Sequence, residues 1–219
     1  MGVSLTNGLS DLSKELGETS TNTGVRRIQH YNDAVVDFFN DRKYPFALKR
    51  NSALLIASGN TLDLSAITDM REPGGIKEIL VGTSDVPHNP IEYEDRNNPI
   101  YSGKRVFWVD PVTKIVQFKT DMTVGLATEV LYYHIPARIE DTASVSTFPF
   151  PDRYRKTVAT LAAAYVQWGR YLETQGNRLY NLYTRQVGKT TLQQSERTTG
   201  SPRNFGHFMK RIGFRRTYP

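Results

Sequence analysis

Residues 105–118 read Arg105-Val106-Phe107-Trp108-Val109-Asp110-Pro111-Val112-Thr113-Lys114-Ile115-Val116-Gln117-Phe118. Two runs of β-branched and aromatic residues flank a four-residue Asp-Pro-Val-Thr connection. Proline at the second position of a type I turn already holds the φ that the turn needs. The segment therefore reads as a β-hairpin, the clearest in the chain. Working outward, Glu129–Ile135 and Ile76–Val81 are further apolar runs of strand length. Ser52–Ser58 and Thr61–Leu64 flank Gly59-Asn60, a turn signal, and read as a second hairpin. Together these predict one small antiparallel sheet of about five or six strands, inserted at about residues 45–137.

The flanks of the insertion have helical period. Leu5, Leu9, Leu12 and Leu16 share one face, with Ser4 as N-cap and Gly17 as the stop. A second helix is expected over Gly24–Arg42, capped by Thr23. It carries Val25, Ile28, Tyr31, Val35, Phe38 and Phe39 inward, and Pro45 keeps it from continuing. After the insertion, Phe148-Pro149-Phe150-Pro151 is a rigid entry, with Pro151 in a first helical turn. Tyr154, Val158, Leu161, Ala162, Tyr165, Trp168, Tyr171 and Leu172 form an apolar stripe. Trp168 is expected to be buried between helices with Leu161, Tyr165 and Leu172. Ala159 and Ala162-Ala163-Ala164 leave room for a close helix neighbour. A break or bend is expected near Gly176, followed by a helix from Asn177 to about Gln194. The fold class is α+β: a helical core formed by an N-terminal helical hairpin (helices within 4–42) and long C-terminal helices (151–195). It carries an inserted antiparallel sheet and an extended C-terminal tail.

The chain has 219 residues, no cysteine and a formal net charge of +6. This length suits one domain, residues 1–196, with its insertion. Without cysteine there are no disulfides, thiolate metal sites or cysteine nucleophiles. No run of 18 apolar residues spans a membrane, and the N-terminus lacks the pattern of a secretory signal. Residues 197–219 hold Arg197, Arg203, Lys210, Arg211, Arg215 and Arg216 and no acid, so this segment carries the whole excess charge. Phe205, Phe208, Ile212, Phe214 and Tyr218 are interleaved with the cations, and glycines and prolines predict irregular structure. Aromatics among basic residues suit anchors that dock on a partner. The partner-binding candidates are Arg203, Phe205, Phe208, Lys210, Arg211, Phe214, Arg215, Arg216 and Tyr218.

Catalytic signatures are weak. Gly188-Lys189-Thr190 has the ending of a phosphate-binding loop, but Tyr183 stands where the loop needs its first glycine. His30, His88, His134 and His207 lack partners at metal-ligand spacing. Glu92, Glu94 and Asp95 cluster around Tyr93 and read as a solvated face. Phe107, Trp108, Tyr132 and Tyr133 read as sheet and core packing in preference to a base-stacking platform. The expectation is a non-enzymatic protein with no cofactor and no metal.

Three stretches carry a resemblance. One is Leu5-x3-Leu9-x2-Leu12-x3-Leu16 with Ile28-Gln29-His30-Tyr31-Asn32-Asp33-Ala34-Val35. Another is Val130-Leu131-Tyr132-Tyr133-His134-Ile135-Pro136-Ala137 after the Asp110-Pro111 hairpin. The third is Phe148-Pro149-Phe150-Pro151-Asp152-Arg153-Tyr154 leading into Ala159-x2-Ala162-Ala163-Ala164-Tyr165. In these, residues 4–195 resemble the head-to-tail adaptor (connector) proteins of tailed bacteriophages. The resemblance implies a structural virion protein forming a ring of twelve copies that joins the portal vertex to the tail. It implies the portal protein, a tail or nozzle protein and further copies of the chain as partners. It also implies packaged DNA passing through the lumen without sequence-specific binding. The expected place is the virion neck, and the host cytoplasm during assembly. Other readings stay open: a nucleic-acid-binding module using the basic tail, another tail-completion or terminator ring, and, with least support, a virion-associated hydrolase using Glu92 or Asp95.

Overall fold

The computed structural model describes residues 2–71, 74–143 and 146–199. In chain order the elements are β1 (Val3–Ser4), α1 (Leu5–Glu15), α2 (Val25–Asp41), β2 (Leu48–Leu55), β3 (Thr61–Asp63), β4 (Ile76–Val81) and β5 (Asn89–Pro90). There follow β6 (Val106–Val109), β7 (Ile115–Phe118), β8 (Ala127–Tyr133), β9 (Thr147–Phe148), α3 (Arg155–Gly169) and α4 (Glu173–Thr199). Helices and strands are mixed in the α+β manner expected.

The helix ends follow local chemistry. Ser4 caps α1, its Oγ accepting from the Asn7 amide at 3.2 Å, which satisfies one orphan donor of the first turn. Gly17, at φ +71, ends α1. The Gly17 amide donates to Lys14 and the Glu18 amide to Ser13, the paired bonds of a Schellman motif. The N-cap of α2 is Gly24, not Thr23, and it offers no side chain to the first turn. Asn22 Oδ1 instead accepts from the Gly24 amide. Val25, expected inward, is 71% exposed, because the register of Ile28, Tyr31 and Val35 turns it outward.

The C-terminal helices break at Arg170–Leu172 and not at Gly176. Tyr171 sits at φ +60. The amides of Tyr171 and Leu172 return to the carbonyls of Trp168 and Gln167. This is the Schellman pattern again, with tyrosine in the place glycine takes after α1. Gly176 lies in the opening turns of α4. The helix runs on to Thr199, past the expected end near residue 195.

Helices α1, α2 and α3 enclose one core with the middle of α4, which contributes Tyr183 and Val187. Leu5, Leu9, Leu12, Tyr31, Val35, Phe38, Phe39, Val158 and Leu161 are buried there. Ala159, Ala162, Ala163 and Ala164 are fully buried, and their small side chains let α3 sit close to its neighbours. Gly8 serves the same end in α1: a Cβ there would meet the Tyr31 ring at 2.2 Å. Phe38, Tyr44 and Phe46 stack and Tyr154 packs tilted against them, with centroids 4.6–6.3 Å apart. Truncating one of the fully buried rings among them to alanine costs about 3–5 kcal/mol. Asn32 is buried and joins the returning chain to α2. Its Nδ2 donates to the carbonyls of Ile28 and Ile139, and its Oδ1 accepts from the Ile139 amide at 2.9 Å. The short β1–β9 pair, absent from the sequence reading, ties Val3 to Phe148 beside this core.

The β region is two sheets where one was expected. The order is β2-β8-β4 in the first and β3-β7-β6-β5 in the second, and β5–β6 is a parallel pair. Isolated bridges join Ala57 to Thr61 and Ile79 to His88. The two sheets are thus stitched along both edges around a second apolar core containing Ile56, Leu62, Ile79, Phe107, Val116, Phe118 and Val130. The split comes from the Gly59-Asn60 turn, where both residues have positive φ. The turn is where expected, but the three-residue β3 leaves it to pair with β7 and not with β2. The hairpin at 105–118 forms β6 and β7, with Asp110 Oδ1 accepting from the amides of Val112 and Thr113. Lys114 takes the left-handed position that completes the loop.

Candidate functional site

The predicted partner-binding residues Arg203, Phe205, Phe208, Lys210, Arg211, Phe214, Arg215, Arg216 and Tyr218 lie outside the described residues. Gly188-Lys189-Thr190 lies within the continuous helix α4, with Lys189 exposed, and not in a strand-to-helix loop. Glu92 immediately precedes, and Glu94 and Asp95 lie in, a 3₁₀ turn at Tyr93–Asn97, where the Arg96 guanidinium lies 4.0 Å from the Tyr93 ring centroid. His88 and His134 are buried, and the Ala47 carbonyl takes the His134 Nδ1 contact at 2.7 Å. Burial is the main cause that holds both imidazoles below their ordinary pKa. Phe107 and Tyr132 are buried in the second core, whereas Trp108 and Tyr133 are half-buried.

The surface best suited to recognition is the turn between α3 and α4. Leu161 is buried as expected, but Trp168 and Tyr165 are only half-buried, Leu172 is 43% exposed and Tyr171 is 93% exposed. The early break at Arg170 explains the difference. It brings α4 back alongside α3 and puts Trp168 at the rim of their contact, not between them. Tyr165, Trp168, Tyr180 and Tyr183 form a ladder with successive centroids 5.7, 5.7 and 6.0 Å apart. Trp168 Nε1 donates to Asn177 Oδ1 at 3.2 Å, Tyr165 donates to Asp37, and Tyr183 donates to Asp41. Burial first, then the nearby aspartates, push both tyrosine hydroxyls well above the ordinary phenol range, so they stay protonated donors. The ladder is thus held from α2 with its rung Tyr180 exposed, and Tyr171, Leu172 and Leu182 on the same helices are exposed too. Rigid amphipathic aromatics give contact area at low entropic cost.

A second apolar group sits on the β region. Leu55 is 58% exposed, Val124 63% and Leu126 38%. The Ile56 amide donates to Leu126 and the Gly125 amide to Ile56, which joins the two backbone segments that carry these residues. The strands bearing them begin in the helical half, where Leu48 pairs with Tyr133, and end here, where Leu55 pairs with Ala127. Eight residues of strand separate the ends by about 23 Å. Sequence patterning missed this group because Leu55 lies inside the apolar run Ser52–Ser58 and reads as an ordinary strand residue.

No protein-family model matches the chain, and the search of curated proteins gave no match. Among the described residues no helix is long and apolar enough to cross a membrane.

Proposed function

We propose that this chain is a structural ring subunit, a head-to-tail adaptor of a tailed bacteriophage that joins the portal vertex to the tail. The observation that supports it most is the pair of dissimilar exposed apolar groups, one around Tyr171 and Leu172 and the other around Leu55, Val124 and Leu126. A heterologous head-to-tail contact needs two different surfaces on each subunit, and it closes into a ring at a fixed rotation. The architecture this reading needs is a helical core with an inserted sheet, extended by residues 197–219 as a partner-gripping tail. Twelve copies match the expected portal symmetry, with DNA passing through the lumen without base recognition.

The test is electron microscopy of the full chain mixed with portal rings. The reading expects added density below the portal and loss of that density when residues 197–219 are deleted. A truncated protein that docks undiminished overturns it. Changing Phe205, Phe208 and Phe214 together to alanine should weaken docking more than neutralising Arg215 and Arg216. The opposite ranking, with steep loss of binding at higher salt, favours the nucleic-acid-binding module instead. That second reading is supported by the concentration of the net charge of +6 in residues 197–219.

A further inference from the structure

The aromatic ladder at the α3–α4 turn is bordered by acid. Asp33, Asp37 and Asp41 stand four residues apart in α2, so they form one stripe along the helix. The bonds from Tyr165 to Asp37 and from Tyr183 to Asp41 set that stripe directly beside the ladder. Arg138 pairs with Asp33, and Arg42 lies 3.7 Å from Asp41. Asp37 is exposed and has no ion pair among the described residues; its partner there is the Tyr165 hydroxyl. After burial, the groups that hold the Tyr165 hydroxyl protonated are Asp37, Tyr180 and Asp33, and no cation among the described residues opposes them.

Beside these carboxylates the rings of Trp168 and Tyr180 offer partly open apolar area. A guanidinium stacks on such a ring and pairs with a neighbouring carboxylate at the same time. The occupant that fits is therefore basic and aromatic. Residues 200–219, outside the described residues, hold five Lys and Arg, no acid, and four Phe and Tyr. Reach selects the part of this segment that can return. Thr199 ends α4 about 28 Å along the helix axis from Tyr180. Arg203 comes four residues after Thr199 and reaches about 14 Å at most. Phe214, Arg215 and Arg216 come 15 or more residues after it and reach up to about 50 Å. A tether of this length gives an effective concentration of about millimolar. At micromolar protein the chain's own segment therefore outcompetes that of a second copy.

We propose that the aspartate stripe of α2 and the rings of Trp168 and Tyr180 form the docking face for residues 214–216 of the same chain. Arg215 and Arg216 supply the cation that Asp37 lacks, and Phe214 covers the open rings. The contact is intramolecular and does not depend on the ring-forming reading. A partner that grips the C-terminal segment must first displace it from this face.

The chain has no cysteine, so Thr217→Cys carries a nitroxide at one position of the full chain. The readout is the loss of intensity of the Trp168 indole N–H and the Tyr180 amide in ¹⁵N spectra. Both resonances are expected to be bleached, and equally so after tenfold dilution. Asp37→Lys should restore their intensity, and adding Arg215→Asp with Arg216→Asp to it should bleach them again. Circular dichroism melts check that Asp37→Lys folds. Arg215→Asp with Arg216→Asp alone should also restore the intensity, so the outcome does not hang on one variant. Full intensity in the labelled parent chain overturns the proposal. So does bleaching that survives both charge reversals, the mark of indiscriminate collapse. Bleaching of a ¹⁵N chain by a nitroxide on an unlabelled-nitrogen chain in an equimolar mixture overturns it as well, since a second copy is then the occupant.

Discussion

Trp168 lies against Gly176: a Cβ on residue 176 would stand 2.3 Å from the indole Cδ1. In an ordinary helix, glycine to alanine stabilises by about 1 kcal/mol. Here the sign inverts, because the added methyl drives the indole from its seat and breaks its bond to Asn177. Gly176→Ala is expected to destabilise by about 1–3 kcal/mol, the usual cost of overpacking, read from urea denaturation followed by tryptophan fluorescence. Trp168→Ala should cost less than the ~3–5 kcal/mol of a fully buried aromatic, since the ring is already half in water. A stabilised Gly176→Ala protein would contradict the packing.

Tyr171 occupies the left-handed position that Gly17 fills at the end of α1. For a residue with a Cβ, that conformation costs about 1–2 kcal/mol. Nothing repays it locally, because the side chain is 93% exposed. Tyr171→Gly should therefore raise the free energy of unfolding by about 1 kcal/mol, read as a higher urea midpoint at an unchanged m-value. The same change should reduce ring formation in sedimentation velocity if the exposed tyrosine is an assembly contact. Stability gained with assembly intact would remove Tyr171 from the proposed interface.

Asn32 satisfies both backbone groups of Ile139 inside the helical core. Asn32→Leu is nearly isosteric but leaves that amide and carbonyl buried and unpaired. Each orphan costs about 1–3 kcal/mol. A loss of roughly 2–4 kcal/mol in the free energy of unfolding is expected. Hydrogen exchange at the Ile139 amide should accelerate more than exchange in the β region, which has its own core.

His88 and His134 set an acid sensitivity. Burial lowers both pKa values below 6.5 in the folded chain. The unfolded chain therefore binds more protons as pH drops below about 6.5, and stability falls from that point down to the folded pKa values. The slope is at most about 1.4 kcal/mol per pH unit for each histidine. Thermal midpoints at pH 7 and pH 5 should differ, and His88→Gln with His134→Gln should flatten the difference. The remainder belongs to His30, which burial also holds below its ordinary value. An unaltered pH slope in the double variant would contradict this assignment.

The expectations that the structure bears out are those with local causes. Ser4 and Gly17 bound α1, and Asp110-Pro111 makes the hairpin, because a cap or a turn residue acts within four positions of itself. The periodic residues Leu5, Leu9, Tyr31, Val35 and Phe38 face a core because helical spacing alone puts them on one side. The tail candidates, from Arg203 to Tyr218, rest on composition alone. Tertiary structure decided what spacing does not encode. Hydrophobicity marks Trp168, Tyr171 and Leu172 as one stripe. Whether a stripe is buried depends on where the chain turns, and the turn at Tyr171 puts a tyrosine in a conformation its sequence does not announce. The same holds for Leu55, which lies in an apolar run but is 58% exposed between the half-buried Leu54 and the buried Ile56. The start of α2 shows it most plainly. Glu18 and Arg27 stand close in the chain, but Arg170 joins them only because α3 ends against the first turn of α2.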